Sequence, residues 1–360
     1  MNPHLFLSYF PKISFPRYKK LKARFLNLEE IWQAEIPELI SAGWEEHTAT
    51  EFIIWRETKP EEKILNDLTK TKIKTVCLDD PQYPPLLREI NDPPLTLFYR
   101  GDLPNHKQTA VAVVGTRRCT NYGKQVCQEI VENLANMGIL IVSGLALGID
   151  GIAHEATLKM KGKTIAVLGS GVDSAHIYPP AHRSLAERIV NNNGAVISEY
   201  PPGFMPTKYS FPMRNRIVAG LTLGSLIIEA PIKSGSLITA RAALDYNRDV
   251  FAIPHPINSI MGAGNNNLLK LGAKCVTSAD DIIEALNLSG LTQLSIPLTP
   301  KADTANETAI IKTLSREPKS IDNIIKESNL DSPTTMSTLT LMEIKGYVRN
   351  LGGMMYVIKS

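Results

Sequence analysis

From residue 109 onward, short apolar runs rich in β-branched residues alternate with longer amphipathic stretches. The runs are TAVAVVG (109–115), ILIVSG (139–144), KTIAVLG (163–169), GAVISE (194–199), SLIIEA (225–230) and DVFAIP (249–254), and a shorter KCVT (274–277) follows. Between them lie YGKQVCQEIVENLANMG and RSLAERIVNNNG, each ending at Gly, the usual residue just past a helix C-terminus. Near-continuous apolar strands that alternate with helices must bury both faces, and a parallel sheet covered on both sides does so. The spacing predicts a doubly wound α/β domain over residues 101–288.

The flanks read differently. Residues 1–100 hold helical stretches, KKLKARFLNLEEIWQAEIPELISAG and PEEKILNDLTK, then a Pro-rich passage, DDPQYPPLLREINDPPLTLFYRGDLP. Residues 289–304 are polar and turn-rich, as a linker would be. Residues 305–360 give three helical patterns, ETAIIKTLS, SIDNIIKES and TTMSTLTLMEIKG, then two short strands about a Gly-Gly turn. That outline is a winged helix, a relative of the helix-turn-helix. Its third helix carries hydroxyls and only Lys345 near its end, so duplex DNA and protein are equally open as its partner.

Composition bounds the function without choosing it. The 360 residues carry a net charge of +3, too balanced to argue by itself for a nucleic-acid partner. Cys77, Cys119, Cys127 and Cys275 include no CxxC pair and no neighbouring His cluster, so a reducing cytoplasm is expected rather than disulfides or zinc. The longest apolar stretch, GILIVSGLALGI (138–149), is shorter than the roughly 18 residues of a membrane span. The N-terminus lacks the pattern of a signal peptide. No membrane association, metal or cofactor is expected.

In an open parallel sheet, ligands bind outside the carboxyl ends of the strands. The loops there are GTRRCTNYG, with Arg117 and Arg118; SGLALGIDGIAH (143–154); GSGVDS (169–174); and APIKSGSLITARAA, where SGS opens a helix. Small residues let a backbone approach an anion, and free N–H groups at helix starts favour negative charge. GSGVDS is an imperfect GxGxxG on the third strand, and GxxxxGK[ST] is absent, so dinucleotide and P-loop chemistry find little footing. Asp150 and His154 lie one helical turn apart, as an acid–base pair or as a cap and a packed imidazole. In FPMRNRIVAG, Arg214 and Arg216 cannot both reach one point from a helix, so one can pair internally, with Glu229 the candidate carboxylate, while the other meets an anion. Lys208 adds a point charge, and Phe211 is either a ring for a base or a core anchor.

The ordered succession VAVVGTRRCTNYG, SGLALGIDGIAH, GKTIAVLGSGVD, YPP, ISEYPPG, FPMRNRIVAG, IIEAPIKSGSLITARAA and VFAIP closely resembles the DNA-processing protein A (DprA/Smf) family. The resemblance implies an extended Rossmann-like fold, an N-terminal sterile-alpha-motif-like helical domain and a C-terminal winged helix. It further implies a non-enzymatic protein that binds and protects incoming single-stranded DNA in natural transformation, forms homodimers through the Rossmann-like domain and loads the RecA recombinase. By motif match, its DNA-binding pocket falls on Arg117, Lys208, Phe211 and Arg214, rimmed by Gly144, Gly171, Ser234, Gly235 and Ser236. The chain departs from the family pattern at Thr116, where Ser is usual, at Pro254-His255-Pro256, where Pro-Gly is usual, and at PKISFP, which lacks the glycines of an N-terminal hairpin. The alternative is a nucleotide-binding or nucleotide-hydrolysing Rossmann-like enzyme, with KSGSLIT in place of a PGGxGT-type loop and Glu229 as its carboxylate.

Overall fold

The computed structural model describes residues 3–25, 27–58, 61–104, 108–288, 302–315 and 317–358. They divide into two units, Met1–Thr292 and Gln293–Ser360. The linker expected over 289–304 lies mostly outside the described residues.

The first unit begins with six helices: α1 (Pro3–Ser8), α2 (Phe15–Arg24), α3 (Leu28–Gln33), α4 (Ile36–Ser41), α5 (Glu46–Thr58) and α6 (Glu61–Thr71). The continuous helical stretch read over 19–43 is broken into three. Asn27 accepts the amide of Glu30 at 2.9 Å, Glu35 forms a capping box with Glu38, and Pro37 sits at a helix start. Each is a start signal that interrupts the preceding helix. Phe10, Trp44, Phe52 and Trp55 close this module, with Phe10 and Phe52 edge to face at 5.3 Å.

The sheet then forms from β1 (Lys74–Cys77), β2 (Thr96–Gly101), β3 (Ala110–Val114), β4 (Leu140–Ser143), β5 (Thr164–Val167), β6 (Ala195–Ser198), β7 (Gly224–Ile227), β8 (Asp249–Ala252) and β9 (Lys274–Cys275). Among the described residues these nine strands pair in the order β1-β2-β6-β5-β4-β3-β7-β8-β9. Only β2 runs against the rest, antiparallel to both β1 and β6. All seven runs read from the sequence are strands. β1 and β2 were hidden in the region read as helical and Pro-rich, because each adjoins charged or Pro-containing turns such as DDPQYPP and NDPPL.

The connecting helices are α7 (Pro85–Arg88), α8 (Asn121–Asn136), α9 (Ile149–Lys159), α10 (Arg183–Asn191), α11 (Ser210–Gly220), α12 (Ser236–Asp245), α13 (Ala263–Lys270) and α14 (Ala279–Ala285). Side chains of β3 alternate between two cores. Val111 and Val113 join Ile130, Ile141, Leu226 and Phe251 on one side. Ala112 and Val114 join Val142, Val167, Ile217, Ala240 and Ala243 on the other. Each large aliphatic side chain buried there is worth roughly 1.5–3 kcal/mol, so the strand positions are fixed by both faces at once.

The second unit contains α15 (Ala305–Thr313), β10 (Lys319–Ser320), α16 (Ile321–Ser328), α17 (Ser332–Ile344), β11 (Val348–Asn350) and β12 (Met355–Ile358). Ile310, Ile324, Leu339 and Met342 form its core. Asn329, at φ 55°, ends α16, and Asp331 caps α17 by accepting the amide of Thr334 at 2.8 Å. Gly352 and Gly353, at φ 90° and 61°, turn β11 into β12 as a wing. Lys345 lies between Asp303 and Glu307, 2.7 Å from each carboxylate.

Candidate nucleic-acid interface

The chain moves from β3 outward through β4, β5 and β6, then returns along α11 to place β7 on the other flank of β3. Strand order therefore reverses between β3 and β7, and ligands of open α/β sheets gather at the carboxyl ends beside such a point. The loops there are locked together by backbone contacts. Thr116 donates its amide to Glu229 O at 2.7 Å, and Ile149 donates to Thr116 O at 3.2 Å. Gly148 has φ 77°, and a Cβ there would lie 2.4 Å from Thr116 O, so only glycine fits.

Both arginines of the RNR element point inward. Arg214 is only 5% exposed. Its guanidinium donates to the carbonyls of Gly144 and Val167, and Nε reaches Asn215 Oδ1 at 3.1 Å. Burial pulls its pKa down, against the attraction of Asp150. Asp150, also buried, accepts the amides of Gly144 at 3.1 Å and Ala146 at 3.4 Å, and burial pushes its carboxyl up while Arg214 pulls it back. A Cβ on Gly144 would fall 2.2 Å from Arg214 Nη1, which explains the glycine. Arg216 donates to Glu199 and to Asp92 O at 2.6 Å, with Nε 3.3 Å from the Asp92 carboxylate. Arg214 is thus a strut beneath the rim rather than an outward phosphate contact, and Arg216 ties α11 to the segment before β2.

Glu229 pairs with neither arginine, contrary to expectation. It accepts the amide of Thr120 at 2.7 Å and its hydroxyl at 2.8 Å, and so fixes, from the end of the neighbouring strand, the residue that caps α8 by accepting the Gly123 amide at 3.1 Å. The carboxylate is fully buried, and a Cβ on Gly123 would lie 2.5 Å from it. The helix N-terminus nearest the switch point is therefore already occupied by a side chain of the protein itself, where a nucleotide enzyme would place phosphate. An open cavity of about 450 Å³ adjoins it, lined by Tyr122, Pro254, His255, Pro256 and Ser259 as well.

The Gly-rich turns differ in what they offer. Gly144 and Gly171 have committed amides, the first to Asp150 and the second to Phe204 O at 3.0 Å. Neither amide is available to a phosphate. The Ser234–Gly235–Ser236 turn opens α12, with Ser234 Oγ 2.7 Å from Ser236 Oγ and Asn215 Nδ2 donating to Gly235 O at 3.1 Å. Gly235 itself is exposed, with open space where a Cβ would be.

Around this rim stand exposed cations: Arg117, Arg118, Lys208 and Lys233. No described carboxylate forms an ion pair with any of them. Arg117 lies over Phe211 with Cζ 5.4 Å from the ring centroid, and Lys208 Nζ stands 4.9 Å from the Tyr209 ring. Phe211 is half-buried, touching Tyr178 at 5.6 Å between centroids. Arg117 and Phe211 therefore meet as the motifs suggested. Tyr178 and Tyr209 were missed, although Tyr178 sits inside the quoted YPP and Tyr209 lies between Lys208 and Phe211, both of which were singled out.

His154 is buried, with Nδ1 2.7 Å from Thr164 Oγ1 and its pKa lowered to about 3 by desolvation. A neutral, enclosed imidazole takes no part at the rim, so it and Asp150 form no acid–base pair. Asp150 turns back onto the loop amides, and Gly148 occupies the N-cap position of α9.

Comparison with known proteins agrees with this geometry. The family model described as DNA recombination-mediator protein A matches residues 74–287, and a DprA winged helix domain model matches residues 297–354. Protein Smf of Synechocystis is 34% identical, over 94% of each chain. The DNA processing protein DprA of Streptococcus pneumoniae is 46% identical over 59% of this chain and 74% of its own. The X-ray structure of the Streptococcus pneumoniae DprA matches with a TM-score of 0.67 at 36% identity, covering 79% of this chain and 97% of that one. A structure of DNA processing protein A from Helicobacter pylori, titled for its single-stranded DNA binding mode, matches with a TM-score of 0.53 at 35% identity, over 61% and 97%. The α/β domain, the winged helix and these relatives agree, and the chain belongs to the DprA/Smf family of DNA recombination-mediator proteins.

Proposed function

We propose that this chain binds single-stranded DNA along the carboxyl-end rim of its sheet, as a cytoplasmic homodimer without enzymatic activity of its own. We further propose that it delivers the strand to RecA recombinase during recombination or uptake of DNA. The observation that carries this reading is the group of exposed, unpaired cations at the switch point, Arg117, Arg118, Lys208 and Lys233, set among exposed rings. Cations track a phosphate backbone, and rings hold bases without reading their sequence. The Helicobacter pylori relative, titled for its single-stranded DNA binding, supports carrying that ligand over. RecA delivery and dimerisation rest on the family resemblance.

Fluorescence anisotropy with a labelled single strand and its duplex, at low and high salt, tests the binding claim. Tight, salt-sensitive preference for the single strand is the expected result. Equal affinity for both, or binding to neither, overturns it. RecA delivery is read separately, as faster filament assembly on a strand already coated by single-strand-binding protein.

A further inference from the structure

The rings at the rim are not equivalent. Phe211, the ring the motif singles out, is engaged: Arg117 lies over it, Tyr178 leans against it at an interplanar angle of 49°, and Gly169 brings backbone close beneath, where a Cβ would fall 3.2 Å from Phe211 Cδ1. A ring packed on these sides has little face left for a base. Tyr209, by contrast, is 70% exposed, the most exposed of the Phe, Tyr and Trp rings among the described residues, and its one described ring contact is the Lys208 ammonium, over it at 4.9 Å from the centroid. Tyr178 is 44% exposed and is backed by Phe211. Neither phenol has a described hydrogen-bond partner, whereas Tyr18, Tyr83, Tyr122 and Tyr246 each bond through their hydroxyls. An exposed aromatic face beside an unpaired cation is the arrangement that single-strand grooves use, because every base has a face to stack.

We propose that Tyr209 and Tyr178 are the residues on which the bases of a bound single strand stack, with Phe211 as the packed support that orients Tyr178 and Arg117. The inference rests on the single-strand reading above and names the base contacts of that same site. Lys208 and Arg117 hold phosphates next to each ring. The platform therefore accepts any base, and it requires that a base be present.

The test pairs an oligothymidylate with an abasic deoxyribose-phosphate oligomer of equal length, measured by anisotropy on the full chain. Tyr209→Ala and Tyr178→Ala each weaken oligothymidylate binding by roughly five-fold or more, in the range of one lost stack. Both leave abasic affinity and the salt slope unchanged, because no phosphate contact is removed. Tyr209→Phe keeps wild-type affinity for both probes, which separates stacking from loss of fold or of a hydrogen bond. Equal losses on both probes, or no loss on either, overturns the proposal while leaving single-strand binding intact. If the wild-type chain binds neither oligomer, the single-strand reading itself falls.

Discussion

The rim of the α/β unit and the third helix of the winged helix are both where a nucleic-acid protein would place cations, and they treat them oppositely. At the rim, Arg117, Arg118, Lys208 and Lys233 stand exposed, and none of them forms an ion pair with a described carboxylate. In the winged helix, the lysine closing α17 is held by two carboxylates, and its pKa is raised by hydrogen bonds to Asp303 and Glu307. The outer surface of α17 shows Met336, Leu341 and Ile344 instead. A bound polyanion must neutralise its phosphates with cations that are free to meet them. Availability of charge, rather than its count, separates the two regions.

The rim keeps its cations outward because a buried arginine does the structural work. Arg214→Ala would leave the carbonyls of Gly144 and Val167 without their donor and Asp150 without its nearest cation. Removing one member of a buried charged cluster costs about 3 kcal/mol or more. We expect a fall of that size in denaturant titrations followed by tryptophan fluorescence, which reports the first unit because Trp32, Trp44 and Trp55 all lie there. A change below about 0.5 kcal/mol, the range of ordinary surface substitutions, would show that Arg214 is not a strut.

Acid distinguishes the two units next. His154 has a folded pKa lowered to about 3 from an ordinary 6.5. Between those values the unfolded chain binds the extra proton, so stability of the first unit falls as pH drops from 6.5 toward 3. The limit is about 1.4 kcal/mol per pH unit for this single group. His4, also lowered by burial, adds to the same slope. Glu307 in the second unit is lowered by its bond to Lys345. Its contribution is complete above the usual 4.5 of a glutamate and is lost only as pH falls below that value. Tryptophan-detected stability should thus decline from near pH 6.5, and His154→Gln should flatten much of that decline. An unchanged slope in the variant would place the proton uptake elsewhere.

Much of the scaffold was legible because its cause is local. Runs such as AVAVV and TIAV can be little else than buried strands, and ETAIIKTLS and SIDNIIKES carry helical patterns that the structure forms as α15 and α16. The site was legible only in part, because its causes are distant in sequence. Arg214 is a strut because carbonyls 70 and 47 residues away point at it. Glu229 holds the N-cap residue of a helix, Thr120, 109 residues upstream, an arrangement that exists only once β3 and β7 are neighbours. Tyr209 lies between Lys208 and Phe211 and belongs to none of the motifs read from the sequence. Its exposure follows from its place just ahead of α11, where the chain has not yet turned its side chains toward the sheet.

The smallest effects test the comparison most directly. Arg117→Ala and Lys208→Ala each remove one free cation, so each should weaken single-strand binding several-fold and lower the slope of log affinity against log salt by about 0.7, the value for one phosphate contact on a single strand. Lys345→Ala removes a cation that two carboxylates already neutralise, and it should alter neither affinity nor slope. The contrast is informative because all three substitutions change net charge by one. A general attraction to the whole protein would weaken in all three, whereas contacts made by free cations weaken only at the rim. If Lys345→Ala flattened the slope as much as Arg117→Ala, the Asp303 and Glu307 pairs would have to yield to phosphate, and the winged helix would join the α/β unit as a second place where the strand is held.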